Sequence, residues 1–271
     1  MIKCVIHCSD VHIRLFQRLE EYTEQLNIFV KKCEEITSKY EKDEVRIVIA
    51  GDLGHSKNQI TPEFITLTSF FIRQLENIAK VILIAGNHDL LVNNTSRIDA
   101  ITAIYETANF SNTIFLDYVL GYESGIVEDD NIIWAVYSIY NGYVAPDLTS
   151  ISEDKTIVGL YHGMVVGATL NNGMVVESGV NGELFGGCDM VMAGDIHKRQ
   201  IIKRGDVEIV YPGSLIQQTF GETVSQHGFA VWDIESKTYE FVDIDSEYGL
   251  FKVEIDNLED FDEDKERLVN F

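Results

Sequence analysis

Apolar residues recur along this chain in two rhythms, and the rhythm changes near residue 113. Before that point, short continuous apolar runs alternate with longer segments whose apolar residues return every three or four positions. The runs at 2–8, 45–50 and 81–85 read as buried strands, and the segments at 17–39, 62–79 and 96–108 as helices. This β-α-β-α-β order predicts a parallel or mixed sheet with covering helices. Thr61 followed by Pro62 resembles an N-cap with proline at the first helical position. Beyond residue 113, short β-like runs dominate, at 132–137, 156–161, 190–193, 200–203, 207–211, 228–233 and 239–243. The expected fold class is therefore α/β: a four-layer α-β-β-α sandwich of two mixed sheets flanked by helices.

The helix over 62–79 is apolar on more than one side. Phe64, Leu67, Phe71, Leu75 and Ile78 form a stripe; Ile65 and Ile72 lie about a quarter turn away, and Phe70 on another side. The pattern fits first a wide core-facing helix, and as an alternative a helix that also packs on a second protomer. Residues 1–244 read as one domain. A new alternating run opens after Gly249 and leads into an acidic stretch, so 245–271 reads as the start of a further, incomplete domain.

At 271 residues with 45% hydrophobic content, a sizeable core can form. No apolar run reaches the length needed to cross a bilayer, and the strand-like N-terminus is not a signal peptide. Cys4, Cys8, Cys33 and Cys188 lack zinc or disulfide-framework spacing, which suits reduced thiols in a cytoplasmic compartment. The net charge of −23 argues against a general polyanion binder. The excess is concentrated: fourteen acidic and four basic residues fall between Asp233 and Arg267. Carboxylates that hold divalent ions would be neutralised, so a nucleic-acid substrate is not excluded.

Six of the seven histidines lie in or beside short motifs with Asp, Asn or Gly, near the ends of apolar runs. The motifs are Asp10-Val11-His12, Gly51-Asp52-Leu53-Gly54-His55, Gly86-Asn87-His88-Asp89, Tyr161-His162-Gly163 and Gly194-Asp195-Ile196-His197; His7 stands just upstream of the first. Asp10 and His12, one residue apart on a strand end, can reach one metal. A carboxylate at Asp52 can bridge two ions, Asn87 offers a neutral oxygen, and His162, Asp195 and His197 complete a set for two divalent ions. Carboxylate, imidazole and carboxamide together suit Mn²⁺, Fe²⁺ or Zn²⁺ better than Ca²⁺. His88, beside Asp89, reads as a general acid oriented by that carboxylate, or as a further ligand. His55 reads as a substrate-positioning group or a loop histidine. His7 is expected in the core, and His227 in a turn without a catalytic part.

Taken together, these motifs resemble the calcineurin-like metallophosphoesterase superfamily, with its DxH, GD, GNHD, H and GHxH pattern, over nearly the whole chain. Within it the chain is most similar to the SbcD-type nuclease of double-strand-break repair, especially phage and viral versions. The opening 6–12, His55 three residues after Asp52, and Tyr211-Pro212-Gly213-Ser214 with Phe220-Gly221-Glu222 and Gly228-Phe229 carry that narrower likeness. The resemblance implies two metals, Mn²⁺ or else Mg²⁺, one on Asp10, His12, Asp52 and His197, the other on Asp52, Asn87, His162 and Asp195. It implies that His88 assists departure of the 3′ oxygen and His55 positions the phosphodiester. It also implies DNA as substrate, an SMC-like ATPase partner (SbcC-type), a homodimer through helices 62–79 and 96–108, and a small capping domain from about 245. A phage-encoded chain would work in the host cytoplasm. One departure stands out: Asp195 occupies a position where the superfamily usually has His, which favours Mn²⁺ or Mg²⁺ over softer ions. Two other classes remain: a phosphoesterase acting on phosphoproteins or small esters, and a non-catalytic scaffold for an ATPase.

Overall fold

In the computed structural model, residues 1–251 are described, except 15, 16, 58 and 153. Two six-stranded mixed sheets pack face to face. The first runs in the order β12-β11-β1-β2-β3-β4, built from Thr238–Asp243, Gly228–Asp233, Cys4–Cys8, Val45–Ala50, Lys80–Ile84 and Thr113–Phe115. Strands β1 to β4 are parallel, while β11 and β12 add an antiparallel edge. The second runs β5-β6-β7-β8-β10-β9, from Gly125–Asp129, Ile132–Tyr137, Thr156–His162, Met190–Gly194, Val207–Tyr211 and Gln200–Arg204. Its four central strands are parallel and its two edges antiparallel.

Strands covered on both faces favour apolar residues at successive positions, which is why β1 and β2 read as apolar runs broken only by His7 and Arg46. Alternation along them sorts the core into layers. Cys4, Ile6, Cys8, Ile47 and Ile49 pack under helices α1 (Leu19–Thr37), α2 (Pro62–Ile78) and α3 (Ala100–Ala108). Val5, Val48, Ile82 and Ile84 meet Trp134, Leu160, Met192 and Trp232 between the sheets. The outer face of the second sheet, with Tyr137, Tyr161 and Tyr211, is covered by the chain around Val165 and Val176 and the 3₁₀ turn Gly182–Phe185. That fourth layer is thinner than the first, because the chain between β7 and β8 spends its length on turns rather than a long helix.

Thr61 caps α2 through Phe64 N–H, with Pro62 at its first position, as the sequence indicates. Helix α3 begins four residues later than the sequence suggests, because Asp99 takes the Thr102 N–H and fixes the cap there. Strands β4 and β5 and the short helix α4 (Leu116–Val119) gave no clear pattern of their own. All four cysteines are free and buried. Among the described residues, no helix is long and apolar enough to cross a membrane. The expected capping segment, 245–271, lies outside the described residues from position 252 onward.

Candidate metal centre

The carboxyl ends of β1, β2 and β3 in one sheet meet those of β7 and β8 in the other, and every motif lies at or just beyond one of these ends. Asp10, His12, Asp52 and Asp195 all adopt positive φ, at 52°, 50°, 53° and 92°. Non-glycine residues in that region carry strain, which persists where surrounding contacts enforce it. Here the backbone is pinned: Asp10 N–H donates to Gly51 O, His12 N–H to Asp52 O and Ile13 N–H to Leu53 O. The first motif is thus strapped to the second. Glycine is required by close approach. A Cβ on Gly51 would lie 2.2 Å from His162 Nδ1, and one on Gly86 would lie 2.2 Å from Asp52 Oδ1.

The side chains converge. His12 Nε2 and His197 Nε2 face each other at 2.9 Å, each 3.9 Å from Asp10 Oδ1. The Asp52 carboxylate is divided: Oδ2 lies 3.4 Å from His12 Nε2, and Oδ1 lies 3.3 Å from His162 Nε2. Asp195 Oδ1 is 3.9 Å from His162 Nε2 and accepts from Asn87 Nδ2 at 2.5 Å, which leaves the Asn87 oxygen for other work. Donors about 2.1 Å from a common ion stand roughly 3 Å apart when adjacent, so these spacings suit a divalent cation. His162 donates from Nδ1 to Ala50 O at 2.7 Å, which turns Nε2 into the cluster as the nitrogen an ion would take; that nitrogen is buried without a hydrogen-bond partner. His197 Nδ1 pairs with Glu222 Oε1 at 2.9 Å, which likewise turns Nε2 toward Asp10.

Electrostatics point the same way. Burial pushes Asp10 up to about 6, despite the nearby imidazoles and Ser9. Burial opposes a charge on His162, yet Asp52, Asp10 and Asp195 outweigh it and raise its pKa well above the ordinary value. Burial likewise opposes charge on His197, and its Glu222 and Asp10 neighbours raise it to about 9. Without metal, protons serve as the counterions of this buried acid cluster. Divalent ions would displace them, so affinity would rise with pH.

His55 and His88 flank the cluster. Their rings stack at 5.5 Å with planes 22° apart, and the His12 ring lies 4.8 Å from His88. His88 N–H donates to Asp52 Oδ1, and its Nδ1 lies 2.8 Å from His55 O. The expected pairing of Asp89 with the His88 ring is not what is found. The buried Asp89 carboxylate accepts from the backbone N–H groups of Leu53, Gly54 and Gly86, and burial raises its pKa to about 8. A turn closed by Asp89 N–H to Gly86 O swings that side chain inward, so it ties the second motif to the third. His7 is fully buried and held neutral by desolvation, near 3. His227 bonds Ser214 and Thr223 O, away from the cluster. Glu222 has no metal-motif signature in the sequence, yet it orients His197; its place in the Phe220-Gly221-Glu222 turn is the available signal.

The model for the calcineurin-like phosphoesterase superfamily domain matches residues 4–237. The chain belongs to that superfamily. Its members are dimetal-dependent phosphoester hydrolases, and the cluster fits two ions on the grounds given above. An uncharacterized protein of Acanthamoeba polyphaga mimivirus is 35% identical over 269 residues, 94% of this chain but 19% of that protein; the chain spans about a fifth of that relative's length. A putative phosphoesterase of invertebrate iridescent virus 6 is 25% identical over 224 residues, 81% of this chain and 72% of that protein. A hypothetical protein of Pyrococcus horikoshii superposes with a TM-score of 0.45 at 13% identity, over 100% of this chain and 94% of that one.

Proposed function

We propose that this superfamily member is a DNA nuclease of the SbcD type, a 3′→5′ exonuclease on duplex ends and an endonuclease on single strands. Asp10, His12, Asp52 and His197 would hold one ion and Asp52, Asn87, His162 and Asp195 the other, with Mn²⁺ preferred and Mg²⁺ tolerated. Two ions held by these residues would lower the pKa of water at the site and polarise the phosphoryl group. The observation that carries the nuclease reading is the His55–His88 stack beside His12, which places two further imidazoles next to the ligand cluster. With Nδ1–H donating to His55 O, the His88 ring is held with Nε2 free, and its imidazolium form would give the Nε2 proton to the departing 3′ oxygen and be left neutral. Asp89 acts through the backbone, holding the turn that carries His88. Beside His197 a groove of about 330 Å³, bordered by Asn171, Asn172 and Thr219, gives room for the rest of a nucleotide chain.

The net charge of −23 leaves few cations to follow a phosphate backbone, whose contacts dominate affinity. We therefore propose that an SMC-like ATPase of the SbcC type supplies much of the DNA surface. A homodimer through α2 and α3 is proposed as well, since Ile65 and Phe70 of α2 and Ile98 just before α3 stay exposed. The same charge favours a second reading, hydrolysis of small phosphoesters or phosphoproteins. The experiment compares wild type with Asp52→Ala and His88→Ala on labelled DNA with Mn²⁺, and on aryl phosphate mono- and diesters. DNA cleavage lost in both variants supports the nuclease; unchanged cleavage, or a strong preference for monoesters, contradicts it.

A further inference from the structure

We infer that Arg14 is an anion subsite of the centre that seats the backbone phosphate next to the one being cleaved, an assignment that rests on the nuclease reading above. Arg14 follows the short parallel bridge between Ile13 and Gly54, strengthened by His55 N–H to Ile13 O. The half-buried side chain is fixed by three contacts: Nη1 lies 3.0 Å from His55 Nε2, and Nη2 donates to Gln218 O at 3.0 Å and to Gln218 Oε1 at 3.4 Å. Its Nε–H, like Arg18 Nη1 and Arg199 Nη2, is buried without a hydrogen-bond partner among the described residues. Nor does any described carboxylate lie within ion-pair distance of this guanidinium, although the chain carries 44 acidic residues. Arg18, Arg46 and Arg199 pair with Glu21, Asp129 and Asp243, whereas Arg73 and Arg204, away from the cluster, donate to backbone carbonyls.

A half-enclosed cation without a counterion is costly, and the permanent charge of a guanidinium attracts a phosphate. Position decides which phosphate. The His55 ring lies between Arg14 and the cluster, stacked on His88 and 5.5 Å from His12. A phosphate among the proposed ligands would therefore be separated from Arg14 by that ring, whereas the next phosphate of the same strand would reach it. A substrate with one phosphate cannot use both places. Arg14 thus favours a polynucleotide strand over a monoester, in a protein otherwise short of cations.

The test uses the full chain with Mn²⁺ and two substrates: a labelled single-stranded oligonucleotide and a bis-aryl phosphate, which has only one phosphate. Wild-type cleavage of the oligonucleotide is measured first; a wild type that neither binds nor cleaves it overturns the nuclease reading itself. Given that activity, Arg14→Ala should lose kcat/KM on the oligonucleotide about 10-fold or more beyond its loss on the bis-aryl ester. Binding is read by anisotropy in a His88→Ala background, where turnover is slow. There Arg14→Ala should flatten the plot of log K against log salt by about 0.7, while Arg14→Lys keeps the slope. Metal content per chain, and the second variant Arg14→Gln, separate this effect from misfolding. Equal losses on both substrates, or an unchanged salt slope, overturn the assignment.

Discussion

Buried charge gathers at both ends of this sandwich, and the two clusters are built on opposite principles. At the end where β2 and β3 begin, Asp129 accepts from Arg46 at 2.7 and 2.9 Å, from Lys80 at 3.0 Å and from Trp134 Nε1 at 3.3 Å. One carboxylate there has two permanent cations, and it ties the second sheet to two strands of the first. At the opposite end, among the described residues, no Lys or Arg pairs with Asp10, Asp52 or Asp195; their neighbours are imidazoles, the Asn87 amide, the Ser9 hydroxyl and backbone N–H groups, and His162 Nε2 has no hydrogen-bond partner. The first cluster is complete in itself and holds the fold. The second is complete only when something positive enters, and its strained backbone and excluded Cβ atoms keep it ready to receive it.

Removing the shared carboxylate should break the contrast most sharply. Asp52→Asn keeps the shape but not the charge, and hydrolysis should fall by about a thousandfold or more, with metal content reduced. Elemental analysis alongside kinetics checks this. At the other end, Asp129→Ala leaves Arg46 enclosed without its partner. Denaturant titration should show a loss of about 3–5 kcal/mol, with metal stoichiometry unaffected. If that variant lost its ions instead, the two ends would not be independent.

A subtler change probes what orients the ligands. Glu222→Ala should weaken metal binding by about 10- to 100-fold, because His197 is then no longer held with Nε2 toward Asp10. Glu222→Gln, which still accepts from Nδ1–H, should recover much of it. Calorimetric titration with Mn²⁺ reads both variants, and ¹⁵N shifts of His197 report its tautomer. The smallest effect is in pH. Burial works against a charge on Asp129, yet Arg46 and Lys80 hold its pKa down at about 2 from an ordinary 3.8. A lowered folded pKa stabilises the protein above the unfolded value, and that stability is lost as pH falls through the folded one. Wild type should therefore lose about 1 kcal/mol relative to Asp129→Asn between roughly pH 4 and pH 2, after allowing for solvent screening. Parallel acid melts would show it.

Much of this was legible in the sequence, for a physical reason. Strands buried on both faces announce themselves as apolar runs, so β1, β2, β6 and β10 appear in the letters. Motifs at their carboxyl ends then identify which side chains can meet, since parallel strands bring those ends to one edge. What stayed hidden depended on contacts that no local pattern encodes. Glu222 lies 25 positions after His197, and only the fold closes that distance. Asp89 is the opposite case: adjacency to His88 suggested a contact, but consecutive residues in a tight turn point apart. Strand β4 is three residues long, too short for alternation to register.

The centre is built for two cations that would share Asp52. Crystals grown with Mn²⁺ and measured at its absorption edge should show two anomalous peaks per chain, one between Asp52 and His12, the other between Asp52 and His162. A single peak, or peaks remote from that carboxylate, would contradict it.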